Sequence, residues 1–232
     1  MSETIHFGFL LFPDITQLDL TGPAEVFGSA PGAQIHLIWK SLSPVPTSAG
    51  WKIVPTTSIE TCPQLDVICV PGGPGQIALM DDAPVLAFLH RQAERAHFVT
   101  SVCTGSLVLG AAGLLRGYRA ACHWMSKNQL ELFGAIPDDA RVVRDRNRIT
   151  GGGVTAGIDF GLTVVAELYG EETAKSIQLA IEYNPQPPFA AGSPVGAGRK
   201  VTERVTENAQ ARQARRLDAS KKAAANLAAA GC

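Results

Sequence analysis

Nothing in this chain supplies a long-range electrostatic pull. Lys and Arg number 20 against 21 Asp and Glu, a formal net charge of −1. The molecule as a whole therefore has no general attraction to nucleic acid or to a membrane surface. Long apolar runs are lacking too: Gly and Pro interrupt them before they could span a bilayer. The opening MSETIHFGFLLFPD has no basic segment ahead of its apolar stretch and carries Glu3 there, unlike a secretory signal, so it is expected to begin a first strand. Paired cysteines are also missing. The five, at 62, 69, 103, 122 and 232, form no CxxC pair and no Cys/His cluster at metal spacing. That argues against a disulfide framework and structural zinc, and for a reducing cytoplasm. What remains is a globular balance, 46% hydrophobic and 18% charged over 232 residues, enough to bury a real core.

Short apolar runs alternate with helical patterns. Strands are expected at Ile5–Phe12, Gln34–Leu42, Val67–Val70 and His97–Val102, with further ones at Arg119–His123 and Arg148–Thr150. Helices are expected at Thr16–Phe27, Asp82–Ala96, Thr104–Ala112, Thr155–Tyr169 and Glu171–Tyr183. The alternation predicts an α/β domain with a mostly parallel central sheet and helices on both faces, a flavodoxin-like sandwich. Asn184–Gly198 is rich in Pro, Gly and Ala and reads as a linker or wrapping arm. Arg199–Cys232 has eight Lys/Arg against three Asp/Glu and ends AAANLAAAGC. It reads as a marginal helix or disordered appendage, a solvated basic tail without the aromatics of a nucleic-acid surface. Residues 1–190 are thus expected as one domain and 191–232 as linker and tail.

The strongest chemical signal is HFVTSVCTGSLVLGAAGLL, residues 97–115. An apolar strand runs to Val102, and Cys103-Thr104-Gly105 opens a helix, the thiol counterpart of a nucleophile turn. A helix N-terminus there is expected to lower the thiol pKa. The competing reading is a buried cysteine finishing a strand. No histidine neighbours Cys103 in sequence. His123 is the one well-placed alternative base, though such a residue is more often packed or capping. Asp19 lies in an apolar stretch after the first strand, where burial would raise its pKa and suit it to proton transfer. It could equally cap a helix, although Asp14 fits capping better. The Gly-rich turns Pro71–Gly75 and Gly151–Gly153 bring backbone N–H groups close to a ligand, and match neither a phosphate loop nor a dinucleotide fingerprint.

Taken in order, Asp19-Leu20-Thr21-Gly22-Pro23-Ala24-Glu25-Val26-Phe27, Val70-Pro71-Gly72-Gly73, Ser101-Val102-Cys103-Thr104-Gly105, His123-Trp124 and Gly152-Gly153-Val154-Thr155-Ala156-Gly157-Ile158-Asp159 resemble the PfpI-like branch of the class I glutamine amidotransferase-like superfamily. The likeness spans about residues 5–190 and is greatest to members that hydrate isonitriles. It implies hydration of a small organic isonitrile to an N-substituted formamide, without metal or organic cofactor. Cys103 would be the nucleophile, Asp19 the general acid and base, and Thr104 an orienting group. Backbone N–H groups at Gly72, Gly73 and Val154 would steady the sulfur or the developing charge, through a thioimidate. The resemblance also implies a homodimer, with no nucleic-acid or membrane partner. Thr104 stands where the peptidases of that superfamily place a histidine, which argues against peptidase activity. Two other readings are a glyoxalase- or deglycase-like enzyme and a ligand- or redox-sensing domain akin to those of AraC-like regulators. The segment after the linker is too short for two helix-turn-helix units.

Overall fold

The computed structural model describes residues 4–229; the readings of Met1–Glu3 and of Ala230–Cys232 fall outside them. In chain order the elements are β1 (Ile5–Leu10), α1 (Gln17–Gly28), β2 (Ala33–Trp39), β3 (Val45–Pro46), β4 (Lys52–Ile53), β5 (Thr57–Ser58) and β6 (Val67–Val70). Then come α2 (Gln76–Leu79), α3 (Ala83–Ala93), β7 (Phe98–Val102), α4 (Gly105–Ala111) and β8 (Arg119–Ala120). A 3₁₀ helix (Lys127–Phe133), β9 (Ile136–Pro137), β10 (Val142–Asp145), β11 (Arg148–Gly151), α5 (Ala156–Tyr169), α6 (Glu171–Ala180) and α7 (Pro194–Ala229) complete the described chain.

Seven strands form the main sheet in the order β10-β11-β7-β6-β1-β2-β5. All neighbours are parallel except β10, which runs antiparallel to β11 at one edge. Both faces are covered, so central strands such as β6 are buried at every position and read as unbroken apolar runs. On one face α1 and α5 pack together. Phe7 stacks on Phe27 with ring centroids 4.6 Å apart, and Phe27 meets Phe160 edge-on at 5.9 Å. On the other, α3 and α4 lie over β6 and β7, and α7 packs on α2, α4 and the 3₁₀ helix. Pro84 sits in the first turn of α3, and Asp82 caps it by accepting from Val85 N–H at 3.3 Å.

Three expectations need correction. Arg119–His123 is a strand only over β8, which pairs with β9 outside the main sheet. Asp14 does not cap α1: the cap position is Thr16, without a side-chain bond, and Asp14 takes a left-handed turn at φ 59°. The C-terminal segment is not a solvated appendage. After a break at Gly198 (φ 74°), α7 runs on through Ala229 and buries Ala209, Arg216, Ser220 and Ala223 against the body. Tertiary packing supplies the stability that an isolated Ala-rich helix lacks.

Candidate active site

The carboxyl ends of β1, β6, β7 and β11 converge on one point, where parallel sheets of this kind present ligand sites. Cys103 follows β7 in the left-handed region at φ 58°, a conformation that costs a non-glycine residue about 1–2 kcal/mol. It is held there by its own N–H, which donates to Gly151 O at 2.9 Å. The next turn is possible only because Gly105 lacks a side chain. A Cβ at that position would stand 1.9 Å from the Val70 carbonyl oxygen. Gly72 answers the same need from β6, since a Cβ there would lie 2.6 Å from Thr104 N and 2.8 Å from Asp19 Oδ2.

Asp19 is fully buried on the first turn of α1. Its Oδ2 accepts from Gly72 N–H at 2.8 Å, and among the described residues Oδ1 has no conventional hydrogen-bond partner. Burial raises its pKa to about 7, against smaller opposing effects of the Gly72 amide and the Cys103 thiol. Thr104 Oγ1 accepts from Gly73 N–H at 3.1 Å. The Gly72 and Gly73 amides are therefore engaged by the carboxyl and the hydroxyl, not held open for sulfur or a developing charge. Of the three amides in question, Val154 N–H alone has no protein acceptor among the described residues, and Val154 lines the cavity over Cys103.

The thiol departs from expectation. Cys103 is 4% exposed, and burial, then the neighbouring Asp19 and Cys122, push its pKa well up. The Thr104 N–H at the start of α4 acts in the lowering direction and does not prevail. The resting sulfur is thus a neutral thiol beside a carboxyl that titrates near neutrality. His123 also lines the cavity, but burial and the charges of Arg216 and Arg212 push it down to about 4. Its Nδ1 accepts from Met125 N–H at 3.3 Å, leaving a neutral, weakly basic ring.

Sequence reasoning missed the far wall. The cavity, about 380 Å³, is also lined by Thr16, Ser48, Arg212, Gln213 and Arg216. Ser48 arrives on the β3–β4 hairpin, tied to the β1–α1 loop by Asp14 N–H to Pro46 O at 2.9 Å and Ser48 N–H to Ile15 O at 2.9 Å. The last three come from α7. A signal was present: residues 209, 213, 216, 220, 223 and 227 recur at alternating spacings of four and three, one stripe of a helix. Its members are Ala, Gln, Arg and Ser with a single Leu, so hydrophobicity alone does not reveal it.

A strand-to-helix turn carrying Cys103, a buried carboxyl from the first helix and a mostly parallel sheet between helical layers define this as a DJ-1/PfpI domain. The DJ-1/PfpI family model matches residues 7–167, and the chain belongs to that family. Among curated relatives, the isonitrile hydratase of Pseudomonas putida is 53% identical over 223 residues, 96% of this chain and 98% of that protein. The HTH-type transcriptional regulator GbdR of Pseudomonas aeruginosa is 32% identical over 179 residues, covering 73% of this chain but 48% of the regulator. The crystal structure of a THiJ/PfpI family protein from Pseudomonas syringae superposes with a TM-score of 0.92 at 48% identity, covering 94% of this chain and 91% of that one.

Proposed function

We propose that this chain is an enzyme hydrating organic isonitriles to N-substituted formamides, with Cys103 as nucleophile and Asp19 as the single proton carrier. One observation carries the mechanism: a buried carboxyl with a pKa of about 7 beside a neutral thiol, at the base of a cavity whose histidine is a poor base. The near full-length likeness to an isonitrile hydratase supports the choice of substrate. The terminal carbon of R–N≡C accepts a soft nucleophile. Asp19 takes the thiol proton as sulfur attacks that carbon, then delivers it to the same carbon, leaving the thioimidate R–N=CH–S–Cys103. Water then adds to this carbon while Asp19 accepts one of its protons. Nitrogen is protonated, the C–S bond breaks, and the formamide leaves with the thiol restored. A pKa near the working pH suits a group that must both take and give a proton. Thr104, fixed by the Gly73 amide, orients the turn, and Val154 N–H is the donor left to steady charge developing on the substrate.

Purified protein incubated with cyclohexyl isonitrile tests this, with formamide followed by mass spectrometry. Cys103→Ala is expected to abolish turnover, and Asp19→Asn to lower it by about 10²–10⁴-fold, the usual worth of a positioned proton carrier. Substantial hydration by Cys103→Ala would refute covalent catalysis. Undiminished hydration by Asp19→Asn would remove the carboxyl from the mechanism. We further infer a cytoplasmic homodimer. The cysteines at 62, 69, 103 and 122 are free, as in a reducing compartment, and among the described residues no helix is long and apolar enough to cross a membrane.

A further inference from the structure

The proton-transfer chemistry makes no use of the two arginines in the cavity wall. Arg216 is 4% exposed, its Nε donating to Gln76 Oε1 at 2.8 Å and its Nη1 to Ser126 Oγ at 3.4 Å. Both acceptors are neutral. Gln76 is itself fully buried, and its amide nitrogen has no partner among the described residues. The side chain therefore serves to fix the guanidinium, whose Nη2 has no protein acceptor among the described residues. Arg212 lies one helical turn earlier on the same face of α7, exposed at the rim. Among the described residues no carboxylate stands within ion-pair distance of either arginine. None of the described residues that line the cavity is an Asp or a Glu.

A buried guanidinium without a carboxylate is strongly unfavourable unless an anion balances it. Arg216 is that buried guanidinium, and Arg212, exposed at the rim, adds a second positive charge to the same wall of the cavity. Gln213 adds a neutral donor beside them: its Oε1 accepts from Ser126 Oγ at 3.0 Å, leaving its NH₂ group for a ligand oxygen.

We propose that Arg212 and Arg216 form a carboxylate subsite, so that this enzyme prefers isonitriles bearing a carboxylate, held with the isocyano carbon toward Cys103. The inference rests on the hydratase reading and narrows it to a substrate class. Arginine suits the task because its planar fork matches a carboxylate, and such charge-assisted bonds are about twice as strong as neutral ones.

The experiment compares isocyanoacetate and 4-isocyanobutanoate, each beside its methyl ester, by kcat/KM for formamide release. For at least one chain length the acid is expected to exceed its ester by about tenfold or more, mainly through KM. Arg216→Gln is expected to cut that ratio severalfold. Arg212→Gln is expected to do the same and, at an exposed position, does so without burden on the fold; Arg212→Glu is expected to favour the ester. A wild-type ratio at or below one for both lengths overturns the subsite while leaving hydration in place. A ratio that survives both Arg→Gln changes overturns it as well. Formamide from cyclohexyl isonitrile but from neither acids nor esters overturns the subsite alone, and formamide from none of them, with folded protein, removes the hydratase reading and this inference together.

Discussion

Asp19 sits where a carboxyl is useful to chemistry and costly to folding. Its pKa rises from 3.8 to about 7 on burial, so between those values the native state holds a proton that the unfolded chain has released. Below pH 3.8 both states are protonated and the residue costs nothing by this route. As pH rises toward 7 the unfolded state is increasingly favoured, and above 7 the full penalty applies. A shift of about three units corresponds to about 4 kcal/mol. Asp19→Asn, which keeps an oxygen for the Gly72 amide, is therefore expected to stabilise the protein at pH 8 by up to about that amount. The gain should fade through pH 6 and vanish near pH 4. Denaturant unfolding of both proteins at each pH reads this directly, and taking the difference cancels other titrating groups, His123 among them. A gain that is constant with pH would mean that ionisation of Asp19 is not its source.

At the scale of elements, legibility followed the way each segment is buried. β6 was readable to the residue, because a strand covered on both faces is apolar throughout. β10 was not, since Val142 and Val143 sit on an edge among charged neighbours, and its pairing depends on a turn at Arg146 with φ 53°. The strand-to-helix turn at Cys103 and the carboxyl at Asp19 could be picked out from residue type and position. The engagement of the Gly72 and Gly73 amides could not, because it depends on how α1 and α4 approach β6 in space. The largest omission was α7, whose buried face consists mainly of small and polar side chains. From sequence its removal would leave catalysis untouched; from its packing the opposite follows. A chain ending at Gly198 loses Arg212, Gln213 and Arg216 from the cavity wall and leaves Gln76 and Ser126 without their α7 partners. It is expected to lose at least tenfold in kcat/KM and to unfold at lower denaturant. Wild-type kinetics and stability in that truncation would return α7 to the status of an appendage.

For the whole molecule, the proposed homodimer has an exposed apolar surface available. Trp51 and Val54 are 45% and 59% exposed beside a groove lined by Leu20, Ala24, Ile35 and Leu37. An apolar centre with few charges is the pattern of an interface core rather than of a solvated face. The charges at the groove, Glu25 and Lys52, are of opposite sign, and among the described residues neither forms an ion pair. In a twofold pair one patch meets its own copy, so each Glu25 can face the partner's Lys52 without any unlike surface being needed. Light scattering of the wild type is expected to give twice the chain mass of 24.5 kDa. Trp51→Glu, which places a charge in the apolar centre at a residue that does not line the Cys103 cavity, is expected to shift the protein toward monomer at low micromolar concentration. A dimer unchanged by that substitution would place the interface elsewhere, and a wild-type monomer would remove the homodimer. If the dimer dissociates and kcat falls with it, the α1 surface matters to catalysis for a definable reason: the helix that forms the interface is the one that carries Asp19.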